Sequence, residues 1–199
     1  MGPLSQITAR YRYWRDMRLL RAHAGTLAPG AKIVRPDCIA CNGRLHLGEG
    51  VSIREHARIE CVRRDGKHGE IRIGDWTTAQ MYLHIAAAER VTIGAHALIA
   101  GRVYISDHDH NWPEDPGGTS LVSSPVTIGD RCWLGEGCVI VKGVTLGENC
   151  IVGANAVVTK SFPAGSMVAG VPARLIKRYD AAAREWKREA ERRTDRETG

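Results

Sequence analysis

The chain has 199 residues, of which 43% are hydrophobic and 25% charged; this is the balance of one folded domain, not of a disordered chain. No apolar run approaches the ~20 residues of a membrane span, and the N-terminus lacks the apolar stretch and cleavage site of an export signal, so a cytoplasmic chain is expected. Its six cysteines then read as reduced thiols rather than a disulfide framework, and its net charge of +6 sits at the ends, since residues 1–35 and 173–199 are basic and the body between them is mildly acidic.

In chain order, residues 1–30 form a helical segment. Ile7, Tyr11, Trp14 and Met17 keep an i, i+3/i+4 spacing over residues 5–23, with five arginines on the other faces. Such a basic, aromatic helix either packs on the rest of the chain or touches an anionic membrane.

Residues 31–172 follow a different period. Ile128, Leu134, Ile140, Leu146, Val152 and Val158 stand six apart, and glycine follows four of them. The same phase links Leu47, Ile53 and Ile59, then Ile73, Ala79 and Ile85, then Ile93, Ile99 and Ile105. Six does not fit the helical period, but it fits a short strand and a corner, repeated. Three such units close a triangular coil, and stacked coils make a parallel β-helix. In this pattern the aliphatic residue points inward, and the glycine is expected to relax the corner. Small residues four positions on, among them Cys132, Cys138 and Cys150, read as buried filler. Three breaks interrupt the phase: around RRDGKHGE (63–70), between Ile85 and Ile93, and at DHDHNWPEDPGGTSLVSSP (107–125), the longest. A long excursion from a compact repeat usually carries function. After Gly170-Val171-Pro172, residues 173–193 are predicted as a second helix, followed by a frayed tail to 199.

The segment GDRCWLGEGCVIVKGVTLGENCIVGANAVVTKSFPAGSMVAGVPARLIK (129–177) holds the densest repeats. It resembles the hexapeptide-repeat acyltransferases, in particular the branch of galactoside and maltose acetyltransferases and, more closely, the sugar O-acetyltransferases of surface-polysaccharide and lipopolysaccharide synthesis. The resemblance implies an all-β fold, a left-handed parallel β-helix with a short N-terminal helix and a C-terminal helix. General crossover geometry alone favours the opposite hand. The resemblance also implies a homotrimer with sites between subunits, acetyl-CoA as cosubstrate, and O-acetylation of a sugar or glycan acceptor, free or nucleotide- or lipid-linked. Three other readings stay open on the same scaffold: amino-sugar N-acetylation, a zinc lyase of the carbonic anhydrase type, and a non-catalytic scaffold.

In the galactoside-type enzymes the catalytic His lies five residues after an inward aliphatic, where a loop departs; Ile105 places that position at His110. A base neutral near pH 7 suits proton removal from a sugar hydroxyl. His108 is the second candidate, and Asp107 or Asp109 is placed to orient an imidazole. The resemblance puts coenzyme A against Trp133, Gly135, Gly153, Ala154, Lys160, Arg174 and Lys177, the basic residues meeting its phosphates. Gln80, His84 and Asp109 are candidate acceptor contacts; Gln80 stands where the galactoside-type enzymes carry Asn, which puts the same acceptor in doubt. No metal is expected, because Cys38 and Cys41 form a lone CxxC and the close histidine pair is only two apart. No phosphate-binding glycine loop or nucleic-acid motif occurs, so nucleic acid is not expected as a partner.

Overall fold

The computed structural model describes residues 3–188 except 65 and 119, and within them the side chains except those of 3–10, 12 and 13. The expectations for Ile7 and for 189–199 lie outside the described residues.

Short strands visit three sheets in strict rotation. The first sheet takes Ala24–Leu27, Leu45–Leu47, Glu70–Ile73, Arg90–Ile93, Val126–Ile128 and Thr145–Leu146. The second takes Lys32–Ile33, Ser52–Ile53, Thr78–Ala79, Leu98–Ile99, Trp133–Leu134, Ile151–Val152 and Ser166–Gly170. The third takes Cys38–Ala40, Arg58–Cys61, His84–Ala87, Tyr104–Ser106, Val139–Ile140 and Val157–Val158. Successive coils pair in parallel, for example Ile85 beside Ile59 and Ile105, and Leu134 beside Ile99 and Val152. The result is a triangular parallel β-helix whose first strand, Ala24–Leu27, already belongs to the coil. The prism therefore begins at residue 24, ahead of the expected boundary at 31.

The six-residue phase is the core. Ile73, Ile93, Ile128 and Leu146 stack inside the first sheet; Ile53, Ile99, Leu134 and Val152 inside the second; Ile59, Ile85, Ile105 and Ile140 inside the third, all of them buried. Burial of each large aliphatic contributes roughly 1.5–3 kcal/mol, and the one-coil repeat lets every such side chain pack on its counterparts above and below. The cysteines at the small positions are buried too; burial pushes the Cys138 thiol up to about 12, so it stays a neutral hydrophobe.

The glycine after the aliphatic has another purpose than the one expected. A Cβ at Gly129 would lie 2.6 Å from the backbone N of Glu148 in the next coil, and one at Gly135 would lie 2.7 Å from that of Ala154. Glycine is needed there for close approach of stacked corners. The left-handed backbone falls two residues later and is carried by Arg131, at φ 54°, and Asn149, at φ 56°.

The helix α1 (Pro3–His23) docks across the first coil. Met17 and Leu20 are buried there, and Asp16 accepts the Arg35 N–H at 2.9 Å. Tyr11 and Trp14 are 71% and 55% exposed, so the expected aromatic stripe is not the docking face. Among the described residues no helix is long and apolar enough to cross a membrane.

Both larger phase breaks are β-hairpins: Arg63–Arg64 with Lys67–His68, and His108–His110 with Leu121–Ser123. Of the predicted C-terminal helix over 173–193, the described residues 173–188 form strands instead. Ala173–Asp180 turns back antiparallel onto Ser166–Gly170, and Glu185–Arg188 pairs with it in turn. Along that strand Ala173 is buried and Leu175 half-buried while Arg174 and Ile176 are exposed, a two-residue alternation that fits a sheet edge. The last coil offers unpaired N–H and C=O groups, and this strand satisfies them.

Candidate active site

The second hairpin leaves the prism at Asp107, on the edge between the third and first sheets, and returns at Ser124, whose N–H donates to the Asp107 carbonyl at 2.8 Å. The Asp107 side chain is fully buried and accepts the N–H groups of Ala88, Glu89 and Arg90 at 2.7, 2.8 and 2.6 Å. Those three residues form the corner widened by the two-residue break after Ile85. Asp107 also takes a hydrogen bond from His108 Nδ1 at 2.9 Å. Burial opposes its ionisation, but His108 and the three N–H groups outweigh burial and hold the carboxyl below the usual aspartate range.

Both candidate imidazoles are thereby set to one tautomer. His108 Nδ1 faces a carboxylate; His110 Nδ1 lies 3.2 Å from the Gly118 carbonyl, which only accepts. In the neutral ring each Nδ1 therefore carries the proton and each Nε2 the free lone pair. They differ in access, since His108 is tucked against Ser106 and His110 is exposed on the hairpin. Asp107 thus orients His108 rather than His110. Asp109, the other candidate orienter, pairs instead with Lys142 and ties the hairpin to the following coil.

Under the hairpin, the outer face of the third sheet carries Arg58, His84 and Tyr104 in register. His84 Nε2 stands 3.6 Å from Glu60, and its ring meets Tyr104 edge-on at 4.9 Å. Burial, then the Arg58 charge, lower the His84 pKa against the pull of Glu60, which favours the neutral ring. Gln80 is exposed at the edge between the second and third sheets, away from the hairpin edge.

The cofactor candidates separate into two groups. Gly135 and Gly153 stack in the same corner column as Gln80, their N–H groups donating to Val152 and Val168 at 2.8 Å each, with Ala154 exposed beside them. Trp133, 53% exposed, heads an outward row on the second sheet that runs through Ile151 and Met167 to Lys177. Arg174 pairs with Ala169, whose Cβ lies against Gly153. Six of the seven residues therefore share one face and its edge. Lys160 does not: it follows the third sheet, its Nζ 5.6 Å from the Phe162 ring, on the same prism edge as the hairpin. The third sheet lies between the imidazoles and the six-residue group, so a single chain does not bring them together.

Glu60, Tyr104, Lys142 and Gly118 were not apparent from the sequence. Lys142 alone had a usable signal, standing one 18-residue coil before Lys160. Among the described residues, no three of His, Cys, Asp and Glu gather into a group able to hold a metal ion.

Residues 125–160 match the family model "Hexapeptide repeat of succinyl-transferase". WbbJ of Escherichia coli K12, which carries the name of a lipopolysaccharide-biosynthesis O-acetyl transferase, is 36% identical over 170 residues, 79% of this chain and 84% of its own. A galactoside acetyltransferase solved with coenzyme A superposes with a TM-score of 0.58 at 24% identity, over 96% of this chain and 97% of that one. The Bacillus cereus N-acyltransferase AntD, solved with dTDP and 3-hydroxybutyryl-CoA, gives 0.67 at 18% identity, over 86% and 92%. The three parallel sheets and these likenesses fit a left-handed β-helix. The chain belongs to the hexapeptide-repeat acetyltransferases, in their sugar and polysaccharide O-acetyltransferase branch.

Proposed function

We propose that this acyltransferase moves the acetyl group of acetyl-CoA to a hydroxyl of a sugar in a glycan or surface-polysaccharide precursor, with His110 as general base. One observation carries the assignment of the base. His110 is an exposed imidazole whose Nδ1 is held by the Gly118 carbonyl, leaving Nε2 free to take a proton. His108, tethered to buried Asp107, is a positioning residue that fixes the root of the hairpin.

As the acceptor oxygen attacks the thioester carbonyl, Nε2 removes its proton. The resulting imidazolium then returns that proton to the departing CoA thiolate as the tetrahedral intermediate collapses. The cosubstrate fits the second sheet. The row from Trp133 to Lys177 crosses three strand spacings, roughly 14 Å, a length that suits an extended pantetheine arm, and Arg174 and Lys177 supply donors for phosphate. A galactoside acetyltransferase of the same fold was solved with coenzyme A, which supports coenzyme A as the carrier here. His84 and Gln80 remain the proposed acceptor contacts.

Because the two groups of residues stand on different faces, we propose a homotrimer in which one protomer's hairpin edge, with His110 and Lys160, faces its neighbour's second sheet. The trimer is placed in the cytoplasm, where acetyl-CoA is available, and the basic helix face with exposed Tyr11, Trp14, Arg15, Arg18 and Arg21 suits contact with the inner membrane surface.

The test is acceptor-dependent release of CoA from acetyl-CoA across sugars, nucleotide sugars and oligosaccharides, followed by hydroxylamine treatment of the product. A hydroxylamine-labile ester is expected. A stable amide formed from an amino sugar would overturn O-transfer in favour of N-transfer, the chemistry named for AntD.

A further inference from the structure

The two hairpins stand side by side on one edge of the prism and enclose a cleft of about 390 Å³ lined by Arg63, Arg64, Asn111 and Ser120 to Ser123. They are tied together: Arg64 bonds the Ser123 hydroxyl, which in turn donates to Glu89 at 3.1 Å. Asn111 follows His110 directly, and its N–H donates to the Ser120 carbonyl at 3.2 Å, so the cleft opens beside the proposed base.

We propose that this cleft is a phosphate subsite for the acceptor, with Arg63 and Arg64 holding a phosphate of a glycosyl phosphate while its sugar hydroxyl reaches His110. The inference rests on the transferase reading above and names the acceptor class it left open. Arg63 and Arg64 both line the cleft, a guanidinium supplies forked donors that match phosphate oxygens, and Asn111 and Ser120 add neutral polar groups. Leu121 and Val122 give the cleft an apolar wall against which a sugar ring packs. Of the carboxylates near the hairpin, Asp107 accepts three N–H groups and Asp109 pairs with Lys142. The arginines enter through the insertion at 63–70, which the repeat itself does not need. In the proposed trimer this edge faces the neighbour's second sheet, so the acceptor's phosphate is told from the cosubstrate's own by filling the coenzyme A site first.

The experiment titrates inorganic diphosphate into protein saturated with desulfo-CoA, by calorimetry, with galacturonate as the carboxylate comparison. Wild type is expected to bind diphosphate, with galacturonate at least about tenfold weaker. Arg63→Gln is expected to weaken diphosphate about tenfold, and Arg63→Gln/Arg64→Gln further, with desulfo-CoA affinity unchanged. Arg184→Gln, in the remote C-terminal turn, is expected to bind as wild type does. Arg63→Gln keeps the test sound if loss of the Arg64 tie unfolds the hairpin. Equal diphosphate binding by wild type and the Arg63→Gln variant, no diphosphate binding by wild type, or galacturonate binding as tightly as diphosphate would overturn the phosphate subsite. Failure of wild type to bind desulfo-CoA would instead overturn the transferase reading beneath it.

Discussion

Asp107 shows how much one side chain on this edge has to do. It joins the root of the hairpin to a corner one coil away and holds His108 in a single tautomer. Asp107→Asn keeps the shape but gives up the charge and puts an NH₂ against an N–H donor. A stability loss of about 1–3 kcal/mol is expected at pH 7, read by urea unfolding. Because the folded pKa of Asp107 is lowered, the advantage of the carboxylate is complete above its unfolded value and fades as pH falls through the folded one. The difference in stability between wild type and variant should therefore shrink below about pH 4. A constant difference down to pH 3 would contradict the assigned hydrogen bonds. The sequence pointed to both histidines, through the distance from Ile105 and the DHDH text. It did not reveal that Asp107 serves His108 and that a carbonyl serves His110, because Asp107 is fixed by a widened corner one coil away and Gly118 lies in the hairpin tip, and the six-residue period describes neither.

At the scale of elements, the repeat was legible wherever the period held, and registers such as Ile93 beside Ile128 follow from it directly. The ends were not. Residues 173–188 carry Ala, Arg, Leu and Lys in a mix that allows a helix, and the strand wins because an open sheet edge lies next to it. This edge strand carries Arg174 and Lys177, so under the proposed cosubstrate site it would couple fold to ligand. Leu175→Asp places a charge where a half-buried aliphatic packs on the core. It is expected to cost about 2 kcal/mol of stability and to weaken acetyl-CoA binding several-fold while leaving the prism's circular dichroism intact. Unchanged binding would separate the strand from the cosubstrate. The helix misled in another way: its aromatic residues face outward, and the docking face is Asp16, Met17 and Leu20. If that outer face meets lipid, Arg15→Gln/Arg18→Gln should reduce co-sedimentation with anionic vesicles at low salt and leave binding to neutral vesicles unchanged.

At the scale of the molecule, the prism places the proposed base on one edge and most of the proposed cosubstrate contacts on another face, so activity is expected to belong to an assembly. Mixing makes this testable. His110→Ala and Arg174→Gln/Lys177→Gln are each expected to be nearly inactive alone. Co-refolded together they should regain part of wild-type activity, since some mixed interfaces pair an intact hairpin with an intact second sheet; no recovery would place the whole site within one chain. The period alone indicates the prism but not its neighbours, because the outward residues that would meet a second copy follow no repeat. The most direct measurement is the rate of acceptor-dependent CoA release by His110→Ala, beside His108→Ala, with acetyl-CoA binding measured on the same samples. A fall of about 10²- to 10⁴-fold in kcat for His110→Ala, a smaller one for His108→Ala, and unchanged acetyl-CoA affinity in both are the results expected. Near-wild-type turnover by His110→Ala would contradict the account.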